Sequence, residues 1–256
     1  MDQPIICFGQ QPCGFFPKRF LVAKINTARK LQAELGGRIV FFYHDSDADY
    51  RETITVMKDR QSGAEVRLNF TQENKLQKKF SPLYLKRIPQ NWKAEIDKQL
   101  PRFVDQPLID IFNSVEKTTV ADFCLDMYQK MNLLDGIEIV RSGDKAFRDK
   151  APDLKDFYAD VEYEGEVVRA EMFEGNLRLH EGGGQYLTIP TPKTIEKWQK
   201  NPGRDERFSW MNQVINCSHY IFGEGEKDYL KTQDFPSVKF VDREKIDEPS
   251  YAYINL

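Results

Sequence analysis

The chain begins with a short apolar run, Ile5-Ile6-Cys7-Phe8, that breaks into Gly9-Gln10-Gln11-Pro12-Cys13-Gly14. Apolar residues then return at helical spacing, at Leu21, Ile25, Ala28, Leu31 and Leu35, before Gly36-Gly37. This pattern predicts a strand, a polar turn and an amphipathic helix with a glycine stop. The run from Arg38 to Tyr43 is almost continuously apolar, as in a parallel strand covered on both faces, and it ends in His44-Asp45-Ser46-Asp47-Ala48-Asp49-Tyr50. A helix joining two parallel strands crosses over right-handedly, so both strand ends fall on one sheet edge and the two polar loops become neighbours.

Residues 52–57 and 64–70 alternate around Gln61-Ser62-Gly63, predicting a hairpin that extends or decorates the sheet. Helical pieces follow from Pro89 to Phe112, broken by Pro101 and Pro107, with Trp92, Ile96 and Leu100 in phase. A longer helix is expected from Thr119 to Leu134, with a Thr119/Asp122 capping box, the stripe Val120, Phe123, Cys124, Met127 and Met131, and a stop at Gly136. Ile137-Glu138-Ile139-Val140 reads as another buried strand. From Asp160 to Ile189 strict alternation around Gly165 and Glu174-Gly175-Asn176 predicts antiparallel hairpins. Gly182-Gly183-Gly184-Gln185 lacks the Lys-Ser/Thr of a P-loop and reads as one more hairpin turn. Helices near 193–199 and 206–215, strands at 220–222 and 238–241 and a short helix after Gly225 return the chain to α/β style. The expected organisation is an α/β core with a mostly parallel sheet over 1–150 and 193–256, carrying a β-rich antiparallel insertion over 151–192.

Composition narrows the function classes. A net charge of −3 and a pI near 5.8 give no general polyanion-binding field, so nucleic acid is not an expected partner. No apolar run approaches the roughly 20 residues of a membrane helix and no signal pattern opens the chain, so no membrane association is expected and the cytoplasm is the expected compartment. The four cysteines form no C-x-x-C pair, which argues against a disulfide scaffold or zinc ribbon, and Cys124 sits on the apolar stripe of its helix. Cys7, Cys13, Cys217, His44 and His219 are too dispersed to assign a metal site, and no metal ligand set is assigned.

The candidate chemistry lies on the loops at the predicted sheet edge. Gln10 and Gln11 offer amide donors and acceptors to a phosphate, carboxylate or amide, or cap the helix that follows. Asp47 and Asp49, on alternate sides of an extended segment, suit a substrate amine, a magnesium ion or a shared proton, or merely solvate a strand end. His44 is an acid/base candidate near neutral pH, although a lone histidine at a strand end is more often structural. Gly223-Glu224-Gly225-Glu226 repeats the strand-to-helix logic of the first loop; its glycines permit close backbone approach, while its glutamates oppose a phosphate and suit an amino group or a ribose.

Three of these segments together resemble a family. The loop Gly9-Gln10-Gln11-Pro12 with Lys24 behind it is similar to the Gly-Gln-Gln-Pro-Gly-type loop and lysine that open the bacillithiol-biosynthesis cysteine-adding enzymes (cysteine ligases). Asp47, Asp49 and Tyr50 match that family's Glu-Asp-His-Asp-aromatic motif, with Ser46 and Ala48 in place of the glutamate and histidine. Gly223, Gly225, Glu226 and Tyr229 match a later Gly-Pro-Gly-Glu segment and tyrosine, with Glu224 in place of the proline, and Gln233 falls one position late for a family glutamine. The resemblance implies a Rossmann-like, nucleotidyltransferase-like core without the family's coiled-coil appendage, since no long heptad stretch is present. It implies a ligase adding cysteine to a glucosaminyl-malate acceptor, with ATP and Mg as an expectation of that label, because no Walker motif is present. By the same resemblance Gly9, Gln10, Gln11 and Lys24 would bind the anionic part and Asp47 and Asp49 the amine or metal. Glu226 and Tyr229, with Gly223 and Gly225, would close the other side, and His44 would compensate for the histidine replaced by Ala48. A nucleotidyltransferase-like enzyme on another small acid and a non-catalytic ligand-binding paralogue stand as alternatives, and the sequence is compatible with a homo-oligomer.

Overall fold

The computed structural model describes residues 3–72 and 74–254. The chain runs β1 (Ile5–Gln10), α1 (Arg19–Leu35), β2 (Arg38–Tyr43), β3 (Thr55–Lys58), β4 (Glu65–Leu68), α2 (Lys75–Phe80), α3 (Trp92–Asp97), α4 (Gln106–Ser114) and α5 (Val120–Lys130). It continues through β5 (Ile137–Arg141), α6 (Lys145–Lys150), β6 (Tyr158–Tyr163), β7 (Glu166–Phe173), β8 (Asn176–Gly182), β9 (Gln185–Ile189), β10 (Lys200–Asn201), α7 (Arg207–Ile215), β11 (His219–Phe222) and β12 (Lys239–Asp242).

Five strands form an all-parallel sheet in the order β12-β11-β1-β2-β5. The chain starts in the middle, winds outward to β5, and returns to the other side of β1, so the winding direction reverses between β1 and β11. Apolar residues on successive strand positions point to opposite faces, and both faces are covered. Ile6, Phe8, Ile39 and Phe41 pack with Leu21, Ile25 and Ala28 of α1 and with Phe123 and Met127 of α5. Cys7, Val40 and Phe42 pack on the opposite side with Phe147 of α6 and with Trp210, Met211 and Ile215 of α7. Gly37 (φ +87°) lets the chain turn beneath the start of β1, where a Cβ would lie 2.0 Å from the Pro4 carbonyl oxygen.

A second sheet, order β10-β6-β7-β8-β9, is wholly antiparallel and buries one face. Ala159, Val161, Val168, Ala170, Leu177, Leu179 and Ile189 meet Leu76 and Phe80 of α2 there. Among the described residues, strands β3 and β4 pair only with each other. The Gly182-Gly183-Gly184 run, with three positive φ angles, makes the β8–β9 turn.

Several elements differ from the sequence reading. No α-helix spans 193–199; a 3₁₀ turn at Lys197–Gln199 leads into β10, which pairs with β6 and carries the antiparallel ladder past residue 192. Pro107 does not break a helix but lies in the first turn of α4, where its missing N–H is no loss. Only half of the Thr119 box forms: Thr119 accepts from the Asp122 N–H, while the Asp122 carboxylate pairs with Arg141 at 2.6 Å. α5 stops at Lys130, four residues short of Leu134. β5 is an edge strand, buried at Ile137, exposed at Glu138 and half-buried from Ile139 to Arg141. The segment after Gly223 is a single 3₁₀ turn, Glu224–Glu226. Among the described residues no helix is long and apolar enough to cross a membrane.

Candidate functional site

A crevice of about 660 Å³ opens at the C-terminal ends of β1, β2 and β11, where the winding of the parallel sheet reverses. Reversal makes the connections leaving β1 and β11 diverge, and the gap between them is where open α/β sheets bind ligands. Gly9, Gln10, Gln11, Lys24, His44, Asp47, Asp49, Gly223, Gly225, Glu226 and Tyr229 all line it. The structure therefore brings every sequence-derived candidate to one place, from segments more than 200 residues apart. Their individual roles are less uniform.

Gln11 Nε2 donates to Asp47 Oδ2 at 2.7 Å, so the two polar loops touch as expected from the crossover. Arg207, which opens α7, donates to the same Asp47 oxygen at 2.8 Å. Burial pushes the Asp47 carboxyl up, but the Arg207 and Arg169 charges outweigh it, and Asp47 is held well below the usual carboxylate range. Asp49 is clamped instead by Arg51 at 2.7 Å; partial burial raises its carboxyl, and the Arg51 bonds and charge outweigh this and lower it. The two aspartates both line the crevice, each bound to its own arginine and with no hydrogen bond between them.

Lys24 is buried at 2% exposure rather than solvated. Its ammonium donates to the Gly9 carbonyl at 2.8 Å and to Glu226 Oε2 at 2.5 Å, with Gln10 Oε1 at 3.5 Å. Glu226 also accepts from the Gly223 N–H at 2.8 Å and from Tyr220 Oη at 3.1 Å. The Lys24 ammonium is thus already engaged by protein acceptors, and Glu226 by three protein donors. Together they tie the end of β1 to the loop after β11.

Gly9 is required by this crowding. A Cβ there would lie 2.6 Å from His44 Nε2 and 2.8 Å from Tyr220 Oη. His44 is buried against the crevice, with its Nδ1 lacking a hydrogen-bond partner. Burial, with the Arg207 and Lys24 charges, drives its pKa well below 6.5, so the imidazole is neutral. Asp45, one residue on, points the other way, to Arg141 at 2.6 Å and the Gly143 N–H at 2.7 Å. Tyr229 stacks under the Arg204 guanidinium at 4.8 Å, and burial and Glu226 raise its hydroxyl to about 12.

Sequence reasoning missed Arg204, Arg207, Tyr220 and Arg243 on the crevice wall. Arg207 is 160 residues from Asp47 and lies in an ordinary polar stretch ahead of an amphipathic helix, so no local pattern marks it. Tyr220 sits inside an apolar strand and looks like core. Lys86, wholly buried, bonds the Ala48 carbonyl and fixes the acidic loop; burial lowers it to about 7.

Among the described residues no group of three or more His, Cys, Asp or Glu side chains could hold a metal ion. The four cysteines are buried free thiols, and Cys13 sits beside Tyr128 in the core. No family model matches the chain, and no curated protein matches it.

Proposed function

We propose that this chain is an enzyme with a Rossmann-like, nucleotidyltransferase-like core that joins cysteine, or a similar amine, to a small carboxylate-bearing sugar acceptor, as in bacillithiol biosynthesis. The observation that carries the reading is the convergence of the 9–11, 44–49 and 223–229 segments on one crevice at the reversal of the sheet. Counted in chain order within the sheet, the strands run 3-2-1-4-5, which is the doubly wound dinucleotide-binding order 3-2-1-4-5-6 without its last strand, and this supports the Rossmann-like description.

In this reading the amides of Gln10 and Gln11 orient the acceptor, and the ionised Asp47 attracts the incoming ammonium. His44, neutral at physiological pH, takes the ammonium proton so that the nitrogen lone pair can attack the activated carboxyl carbon. Lys24 and Glu226 position the walls of the crevice rather than contact the ligand. ATP, when bound, would supply the leaving group for the carboxylate. Asp47 and Asp49 are both committed to arginines, so a magnesium ion would arrive on the nucleotide phosphates, and no step is assigned to a protein-held metal.

Isothermal titration with ATP, cysteine and glucosaminyl-malate tests the reading. Wild type is expected to give heat, and Gln11→Ala to bind roughly tenfold more weakly through loss of the contact to charged Asp47. Absence of heat with all three compounds removes it. A second reading, a ligand-binding paralogue without turnover, is favoured by Ala48, where the acidic loop offers only a backbone carbonyl, already bound by Lys86. Binding without amide formation and without exchange of pyrophosphate into ATP selects that paralogue; exchange without amide formation selects a nucleotidyltransferase acting on another acid.

A further inference from the structure

The antiparallel sheet ends in an edge unlike the others. The two five-stranded sheets have four edge strands, and three of them carry charge: Glu138 and Arg141 on β5, Lys239 and Asp242 on β12, and Lys200 on the two-residue β10. The fourth, β9, reads Gln185-Tyr186-Leu187-Thr188-Ile189 and carries none. Residues 181–188 are all exposed, and nothing among the described residues covers this edge. Edge strands left to solvent are ordinarily blunted by charge, proline or shortness, because their free N–H and C=O groups pair readily with another strand.

Exposed large apolar side chains gather at the same place. They are Phe173, Tyr186 and Leu187, against Leu35 alone elsewhere among the described residues. Arg178 stacks on the Phe173 ring at 3.6 Å and on the Tyr186 ring at 4.0 Å, so those two share one surface. Leu187 lies on the other face, opposite Leu179, yet Leu179 is fully buried and Leu187 is 36% exposed. The apolar layer beneath the sheet is thus open where β9 ends it.

The backbone says which groups are free. The Leu177 N–H points toward the β9 side, where Thr191 Oγ1 accepts it at 3.0 Å. Leu177 stands opposite Ile189, and orientation alternates along a strand, so Leu187 and Ile189 turn their N–H and C=O toward β8 while Tyr186 and Thr188 turn theirs outward. Pro190 has no N–H to offer, which bounds the free edge on that side.

We infer that β9 pairs antiparallel with β9 of a second copy of this chain, about a two-fold axis at Leu187. Tyr186 then exchanges backbone hydrogen bonds with the partner's Thr188, and Thr188 with the partner's Tyr186. The two Leu187 side chains meet at a non-hydrogen-bonded position, where cross-strand side chains come closest, and close the open end of both apolar layers. The same patch serves both sides, as a closed two-fold contact requires. Charge agrees with the direction. Exposed Glu181 lies before the β8–β9 turn, exposed Lys193 lies beyond the other end of β9, and neither forms an ion pair among the described residues. Antiparallel pairing sets each acidic end beside the partner's basic end, whereas parallel pairing would set like beside like. None of the residues lining the crevice is on β9, so the contact leaves that site open.

Sedimentation equilibrium of the pure protein tests this. With rising concentration the wild-type mass should climb from 30.0 kDa toward twice that value. Thr188→Lys puts a charge on the free edge and should weaken association by roughly tenfold or more. Leu35→Lys, an equal change at the exposed apolar residue of α1, should leave it unchanged. Crosslinking fixes the register. The four native cysteines are buried, and Cα atoms across a non-hydrogen-bonded pair lie about 4.5 Å apart, within disulfide reach. Leu187→Cys should therefore form a covalent dimer with diamide, while Gln185→Cys, on the order of 14 Å from its symmetry mate, should not. A wild type that stays at 30.0 kDa up to about 1 mM overturns the inference, as it would if β9 served a different chain. A dimer indifferent to Thr188→Lys, or equal crosslinking at positions 185 and 187, overturns it too.

Discussion

In the parallel sheet β1 is buried from Ile6 to Gly9 and β2 from Ile39 to Tyr43, whereas in the antiparallel sheet β7 alternates buried Val168 and Ala170 with half-exposed Arg169 and Glu171. A sheet covered on both faces can place polar chemistry only where its strands end, because a polar side chain in mid-strand would be buried without water. A sheet covered on one face can place a polar group at every second residue. The crevice follows the first pattern, lined by Gln10, His44 and Glu226 at and just beyond the strand ends of the first sheet, while Arg169 stands on the less covered face of the second. The two regions are also tied beneath the site. Arg148, only 1% exposed, donates from Nη1 to Asp160 of β6 at 2.7 Å and to the Trp198 carbonyl at 2.8 Å, and from Nε to the Ser142 carbonyl beyond β5 at 2.7 Å.

Cutting that tie is expected to give the largest effect. Arg148→Met leaves the Asp160 carboxylate buried with only Tyr84 Oη at 2.8 Å as a side-chain donor, and should lower stability by about 3–5 kcal/mol in urea unfolding. The double variant Arg148→Met/Asp160→Leu should recover much of the loss, because the stranded charge goes with it. A single-variant loss under about 1 kcal/mol, the range of a surface pair, would show that the two sheets are not joined through Arg148.

The same contrast explains what the sequence revealed. Continuous apolar runs ending in glycine or acidic loops marked β1, β2 and the strand before Gly223, and strict alternation around Gly165 and Gly175 marked β6 to β8, because each pattern is the direct imprint of two covered faces or one. The meeting of Gln11 with Asp47 was legible for a topological reason, the fixed hand of the crossover. What stayed hidden was set by contacts remote in sequence. Residues 193–199 look helical, yet only Lys197–Gln199 make a 3₁₀ turn, because the chain passes directly into β10, which pairs with β6. Lys24 looks like a surface lysine until Glu226, 202 positions away, closes on it. Arg207 and Arg169 carry no local mark, since an arginine ahead of a helix or on an open sheet face is ordinary in both places.

Glycine substitutions sharpen the comparison at intermediate size. Gly9→Ala would drive a methyl into His44 Nε2 at 2.6 Å and Tyr220 Oη at 2.8 Å, and overpacking of this kind should remove about 1–3 kcal/mol along with ligand binding. Gly183→Ala, in the β8–β9 turn, meets nothing within 4 Å, and only its φ of +58° opposes the side chain. It should cost about 1–2 kcal/mol and leave titration of the crevice unchanged. Thermal unfolding read beside calorimetry separates the two, and equal losses of ligand binding would place the β8–β9 turn within reach of the site.

The smallest expected effect comes from His44, and its sign follows from burial. The imidazole in the folded protein is held below 6.5, chiefly by burial and then by the Arg207 and Lys24 charges, with Asp47 opposing. The unfolded chain titrates near 6.5, so between that value and the folded pKa the unfolded state binds more protons. Stability from this group is complete above about 6.5 and falls with acidification, by at most about 1.4 kcal/mol per pH unit. His44→Gln removes the titration, so the difference in unfolding free energy between wild type and variant should shrink in favour of the variant from pH 6.5 down to 5. Carboxylates common to both chains cancel in that difference. A difference that stays flat over this interval would mean that His44 takes up protons in the folded crevice as readily as in the unfolded chain, and burial would then not be what holds it neutral.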